Sequence, residues 1–234
     1  MEDIQHQQMG YDRAAQTFSP DGHILQVEYA EKTVRLGSAS IGMICKDGVL
    51  LISDRRQKDK LVVESSANKI LEIDEHIMVV AAGIVSDARV LIDKARVAAQ
   101  QHRVTYDSEA NAEAIVKDIA DIKQQFTQYG GARPFGVAMM IAGYNGSPKL
   151  YATDVTGNYL EYKAYAIGEN DEKTKEKLRQ EYKESLTCED GVKLALKIFK
   201  EIQGENFDKA RFDIGMIDKD KKLIRRKGSD FAEK

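Results

Sequence analysis

The order in which sequence patterns change along the chain predicts an α+β fold of four layers, α/β/β/α, with two antiparallel sheets lying between helix pairs. Three observations carry it: strand-like runs come in hairpins, helix-like stretches come in consecutive pairs, and the two alternate as strands, helix pair, strands, helix pair, strands. Two sheets whose inner faces bury each other leave their outer faces for helices. A doubly wound parallel fold would instead alternate single strands with single helices, because parallel neighbours need a crossover between them.

Gln26 to Leu36 places Val27, Ala30, Thr33 and Val34 at helical spacing, directly after the turn cluster Phe18-Ser19-Pro20-Asp21-Gly22. Ser38 to Cys45 and Gly48 to Ser53 are β-prone runs around Lys46-Asp47, and Asp47-Gly48 supplies the turn of a hairpin. Lys69 to Ile73 alternates apolar with polar, and His76 to Ala82 follows the turn-like Asp74-Glu75, so a second hairpin is expected in the same sheet. The period then changes. Ser86 is expected to cap a helix that carries Val90, Leu91, Ala95, Val97 and Ala98 and ends near His102. Ser108 is expected to cap the next, where Ala112, Ile115, Val116, Ile119, Ile122 and Phe126 form a stripe that Gly130-Gly131 ends. Phe135 to Gly143, Lys149 to Thr153 and Asn158 to Ala166 return to strand pattern, with turns at Asn145-Gly146 and Thr156-Gly157-Asn158, and imply the second sheet. Helical stretches at about Asp171 to Glu184 and Cys188 to Gln203 precede short strands at Phe212 to Asp218 and Lys222 to Arg225.

Composition removes several function classes. The chain has 234 residues, 42% of them hydrophobic and 31% charged, as an ordinary globular protein does. Its 35 Lys+Arg against 38 Asp+Glu give a net charge of −3, which argues against a nucleic-acid partner held by bulk charge. The longest apolar run, Ile77 to Val85, is about half of the ~18 residues that suggest a membrane span, so no membrane partner is expected. Met1 to Gln8 lacks the basic region and apolar core of a secretory signal, and a cytoplasmic location follows as the expectation. Cys45 and Cys188 are too few and too far apart for a disulfide framework, and each reads as a small buried side chain. His6, His23, His76 and His102 are scattered without metal-ligand spacing, so neither a metal nor another cofactor is expected.

Residues 11 to 30 read Tyr-Asp-Arg-Ala-Ala-Gln-Thr-Phe-Ser-Pro-Asp-Gly-His-Ile-Leu-Gln-Val-Glu-Tyr-Ala, a long segment that resembles the N-terminal signature of proteasome α subunits, most closely the archaeal type. The resemblance continues through Gly37-Ser38-Ala39-Ser40-Ile41-Gly42, Gly48 to Asp54, Asp87-Ala88-Arg89 and Gln128 to Gly136. Ala15-Gln16 departs from the usual β-branched pair, and Arg225 to Lys234 matches nothing in the family pattern. The resemblance implies a sandwich of the N-terminal nucleophile hydrolase type and a non-catalytic role. Such subunits form a homo-heptameric ring that stacks on proteasome β subunits and supports their assembly. They dock a regulatory AAA ATPase activator through its C-terminal tails, and gate the passage of unfolded protein substrates.

Residue roles follow by the same resemblance. Residues 1–12 would be a mobile gate segment, with Met1 to Gly10 its free part, ahead of a single domain over 13–234. Tyr11, Asp12, Pro20 and Tyr29 would hold the open gate, with Arg13 fixing the neighbouring protomer. Lys69 would take the activator's terminal carboxylate, Gly83 would admit its backbone, and Glu28 with Pro20 would pass docking on to the gate. Active members of the fold attack with an N-terminal threonine whose free α-amine accepts the proton. Here Ser38 holds the resembling position, with Asp54 and Lys69 near the supporting acid and lysine. The alternative function is therefore a self-processing hydrolase using Ser38. It requires a cut after Gly37, which removes the segment that carries the family signature.

Overall fold

A computed structural model describes residues 10–56, 59, 61–220 and 222–231. Strands β1 (Ser40–Cys45) and β2 (Gly48–Asp54) form the expected hairpin, in register from Ser40 opposite Ser53 to Cys45 opposite Gly48. They lie at the heart of a five-stranded sheet of order β10-β9-β2-β1-β8, completed by β8 (Ala164–Ile167), β9 (Phe212–Asp218) and β10 (Leu223–Lys227). A second five-stranded sheet has the order β3-β4-β5-β6-β7, from Ile70–Asp74, Ile77–Gly83, Val137–Tyr144, Pro148–Thr153 and Tyr159–Glu161. All ladders are antiparallel.

Alternation along the central strands divides the core into layers. Val49 and Leu51 of β2 meet Met78, Val80, Met140 and Leu150 between the sheets, while Leu50 and Ile52 face outward toward a helix layer. Both faces of β2 are covered, so the whole strand is buried. Helices α2 (Val85–Tyr106) and α3 (Ala112–Phe126) cover the second sheet through Leu91, Ile92, Ile115 and Ile119. Helices α4 (Asp171–Glu181) and α5 (Cys188–Gln203) cover the first through Leu178, Val192, Leu196 and Phe199. A further helix, α1 (Leu25–Arg35), packs on the ends of β4 and β5. The four predicted layers are present, and no helix among the described residues is long and apolar enough to cross a membrane.

Several boundaries differ from the sequence expectation. The β3–β4 hairpin belongs to the second sheet, because β4 is apolar on both faces and fits between β3 and β5. Asn158 to Ala166 is two strands in two sheets. Tyr162 N–H donates to Leu150 O at 2.9 Å on one side while Lys163 O accepts from Ile44 N–H at 2.8 Å on the other, and the chain changes sheet between them. Ser86 lies inside α2, which begins after Ile84 without a side-chain cap and runs one turn past His102 to a left-handed Asp107. The cap of α3 is Asn111, whose Oδ1 accepts from Ala114 N–H at 2.7 Å, rather than Ser108. That helix ends at Phe126, before the glycine pair, and α4 ends at Glu181 rather than Glu184.

The apolar face of α3 also carries a charge. Lys123 is fully buried and donates to Val137 O at 3.0 Å and Asp154 O at 2.9 Å. Burial pushes its ammonium down to about 7, against the pull of Asp154.

Candidate functional site

The residues singled out by the sequence gather around α1. Gly10 adopts a left-handed conformation and starts a single 3-10 turn over Tyr11–Arg13, closed by Arg13 N–H on Gly10 O at 3.1 Å. This turn touches α1. Tyr11 and Tyr29 are half-buried, Arg13 and Pro20 are exposed, and Lys32 Nζ stands 5.1 Å from the centre of the Tyr29 ring. The Asp12 side chain and the proposed gate residues 1–9 lie outside the described residues.

The Phe18 to Gly22 cluster is a closed turn. Ser19 N–H donates to His23 O at 2.7 Å, Gly22 N–H donates to Ser19 O at 2.9 Å, and His23 N–H donates to the Ser19 hydroxyl at 3.2 Å. Gly22 supplies the positive φ of 82° that the turn requires. Ser19 is buried beneath it while Phe18 is 65% exposed. The turn is tied to α1 by His23 Nδ1, 2.6 Å from Glu28 Oε1.

From its far end α1 is seated by close backbone packing. A Cβ on Gly37 would stand 2.3 Å from Gly83 N, and one on Gly83 would stand 2.2 Å from Gly136 O. Gly83 holds a φ of 118°, so its being glycine is required by contacts within this chain. The Thr33 hydroxyl reaches Gly136 O at 2.9 Å and Ala30 O at 2.7 Å. Gly136 N–H in turn donates to Asp87 Oδ2 at 2.9 Å, and Arg133 grips both oxygens of Asp87 at 2.7 and 2.8 Å. The Arg133 hydrogen bonds hold the Asp87 carboxyl below the usual carboxylate range, with burial opposing and the Gly136 N–H assisting. Both residues stand in segments that carry the sequence resemblance, but nothing in the sequence pairs them.

Beside this seat, Ser38, Asp54 and Lys69 come to one end of the sandwich. Asp54 N–H donates to Ala39 O at 3.0 Å, and Ser38 is buried under Gly168, where a Cβ would meet Ser38 O at 2.3 Å. The Asp54 carboxylate accepts from Arg56 N–H at 2.9 Å, Arg211 Nε at 3.0 Å and Gln203 Nε2 at 3.0 Å, and Arg211 makes a second contact. Arg56 also donates to Leu36 O at 3.2 Å and pairs with Glu169. These partners, Arg56, Gln203 and Arg211, carry no motif and escaped the sequence reading. Lys69 N–H donates to Asp213 Oδ2 at 3.0 Å. Burial first, then the Arg56 charge, push the Lys69 ammonium below the ordinary lysine range, while Asp54 and Asp213 pull it back.

Ser38 itself is an internal residue. Gly37 N–H donates to Val34 O at 2.9 Å and Gly37 O accepts from Glu169 N–H at 3.0 Å, so both backbone groups of the residue before Ser38 are held. An N-terminal nucleophile needs a free α-amine as its base, and here that nitrogen is an amide.

Comparison with known proteins places the chain in a family. The family model for the proteasome subunit matches residues 34–217, and the model for the N-terminal signature of A-type proteasome subunits matches residues 11–32. The chain is similar to the proteasome alpha subunit of Archaeoglobus fulgidus, 48% identical over 206 residues, covering 86% of this chain and 84% of that one. It is 46% identical over 230 residues to the proteasome alpha subunit of Methanococcus maripaludis, covering 96% and 87%. With that of Thermococcus sibiricus it shares 44% identity over 198 residues, covering 85% and 76%.

Proposed function

Since the chain belongs to the proteasome subunit family, with the α-type N-terminal signature and the N-terminal nucleophile hydrolase fold, we propose that it is a non-catalytic outer-ring component of a cytoplasmic proteasome core particle. In this role it forms a homo-heptameric ring, stacks on β subunits that hydrolyse peptide bonds, and controls the passage of unfolded protein into the chamber.

The observation that carries the reading is the seat of α1. Freeing Ser38 would mean cutting the Gly37–Ser38 peptide, whose carbonyl accepts from Glu169 N–H, and discarding a helix whose Thr33 bonds Gly136 O and whose following Gly37 packs on Gly83. Asp54, the candidate supporting acid, is already engaged by Arg56, Gln203 and Arg211. The meeting of Ser38, Asp54 and Lys69 is what favours the rival self-processing hydrolase, and both of these facts weigh against it. The tied turn of Ser19 to His23 supports the gate role of Tyr11, Asp12, Arg13, Pro20 and Tyr29, because a hinge for residues 1–12 needs a fixed base. Lys69, near the Gly83 end of α1, suits the terminal carboxylate of an AAA ATPase tail, and Glu28, bonded to His23, links α1 to the turn that carries Pro20.

Native mass spectrometry of the full chain tests the assignment. Uncut subunits in a sevenfold assembly, alone or with a β chain, are expected. A chain beginning at Ser38 would overturn it and make peptide hydrolysis the next assay. In the assembled particle, Lys69→Ala should abolish activator-stimulated peptide hydrolysis while leaving assembly intact, and deletion of residues 2–12 should raise the unstimulated rate.

A further inference from the structure

Far from α1, on the outer side of the first sheet, the fold brings together the chain's two cysteines. Cys45 ends β1, Asp47 sits in the β1–β2 turn, and Cys188 opens α5. The two Sγ atoms and an Asp47 carboxylate oxygen all lie within 4.8 Å of one another. Both cysteines are buried free thiols, whereas Asp47 is exposed, so the group has an apolar floor and an open side. Its parts are held in place independently of any ligand. Cys188 N–H donates to Asp47 Oδ1 at 2.8 Å, and Lys46 N–H donates to Leu186 O at 2.9 Å, which pins the hairpin turn to the segment entering α5. Gly191, one turn along, leaves space beside the sulfur, since a Cβ there would stand 3.3 Å from Cys45 Sγ.

We propose that Cys45, Cys188 and Asp47 form a binding site for one thiophilic divalent cation of the zinc class, with two thiolates and one carboxylate as ligands and the fourth position open to water. A tetrahedral ion with metal–sulfur bonds of ~2.3 Å sets its sulfurs ~3.8 Å apart, which the observed spacing admits. Binding releases two thiol protons to solvent and leaves the ion and its three anionic ligands with one net negative charge. The site lies at the N-terminal end of the 16-residue α5, where the helix dipole favours that charge and Cys188 N–H already donates to Asp47 Oδ1. Neighbouring acids are already engaged: Glu189 meets Arg226 at 3.3 Å, and Asp190 meets Thr187 at 2.7 Å. Asp47, with one oxygen held by Cys188 N–H, is the carboxylate that lies beside both sulfurs. A bound ion would clamp the β1–β2 turn to the start of α5. No local motif announces the site, since its ligands come from two distant segments.

The test uses the untagged full chain, reduced with a phosphine, stripped with a chelator and titrated with cobalt(II). One cobalt per chain is expected, with thiolate-to-cobalt charge-transfer absorption that zinc abolishes by displacement. Cys188→Ser should remove that absorption. Asp47→Asn lies at the surface and keeps an acceptor for Cys188 N–H, so it should fold normally and weaken binding by at least the ~10-fold that loss of a supporting group costs a metal site. Absence of charge-transfer absorption in the reduced chain, or cobalt binding that survives Cys45→Ser with Cys188→Ser, would overturn the proposal. So would isolation of the protein with the two thiols joined as a disulfide that reductant does not open.

Discussion

Helices α1 and α5 both close the sandwich, and they are attached by opposite means. α5 buries Val192, Ala195, Leu196, Ile198 and Phe199 against the first sheet, a broad apolar face of the kind that supplies most of a helix's stabilisation in a folded chain. α1 buries only Leu25 and Ala30. What fixes it is close backbone approach and one hydroxyl: Gly37 against Gly83, Gly83 against Gly136 O, and the Thr33 hydroxyl on that same oxygen. Apolar area gives free energy but tolerates sliding, because dispersion contacts are non-directional. Glycine contacts and hydrogen bonds give little free energy and strict position. In the ring role proposed above, a protomer presents a turn and an N-terminal segment in one orientation, which calls for position at α1 and stability at α5.

The comparison is tested most severely by Phe199→Ala. Phe199 is 1% exposed with its ring centre 4.7 Å from that of Phe212, and its truncation should cost about 3–5 kcal/mol in the denaturant unfolding of the whole chain. A loss under about 1 kcal/mol would show that α5 is not held by this face. Gly83→Ala comes next. A φ of 118° and a Cβ 2.2 Å from Gly136 O leave the new methyl nowhere to go, and backbone strain of this kind costs about 1–3 kcal/mol. The expected signature is local: limited proteolysis between residues 10 and 37 should accelerate well before the sandwich unfolds. An alanine tolerated there without change would break the distinction between the two helices.

Asp87→Asn probes the charge beneath the seat. Its folded-state carboxyl lies below the ordinary aspartate value of 3.8, so the pair contributes stability above that pH and loses it as pH falls through the depressed value. Arg133 is 56% exposed, which limits the effect to about 1 kcal/mol near neutrality. Thermal melts should show the wild type losing more stability on acidification below about pH 4 than the variant does. Equal acid sensitivity would place the titrating group elsewhere.

How much of this was legible depended on the range of the interactions involved. Hairpins such as Ser38 to Ser53 and the stripe from Ala112 to Phe126 were readable because period and turn residues are local signals. Sheet membership was not. In the β3–β4 hairpin, β4 is apolar on both faces and so carries no mark of which sheet it joins, and Tyr162-Lys163 interrupts a continuous β-like run with no glycine or proline to mark the crossing. Ser108 and Asn111 are both good caps, and only the fold chose between them. At the candidate site, the segment from Tyr11 to Ala30 was recognisable as a unit because its specificity lies in contiguous residues. Arg56, Arg211 and Gln203 were hidden because they reach Asp54 from separate elements. Lys123 did leave a signal. It stands four residues after Ile119 on the apolar stripe, but a charged residue there reads as solvated until its two carbonyl partners are seen.

The mildest test of the comparison is Thr33→Val. The hydroxyl is shared between Ala30 O and Gly136 O, and Gly136 O keeps Ile84 N–H as a donor at 2.9 Å when the hydroxyl is gone. No buried acceptor is orphaned, so the loss should stay at or below about 1 kcal/mol. Valine fills nearly the same volume, and the Gly37–Gly83 approach is untouched. Global unfolding should therefore hardly move, while amide exchange within Leu25–Arg35 should quicken. If exchange in α1 is unchanged, the hydroxyl contributes nothing to its position and the glycine contacts seat the helix alone. If the whole chain is destabilised as much as by Phe199→Ala, then α1 belongs to the core, and the separation of a positioning helix from a stabilising one fails.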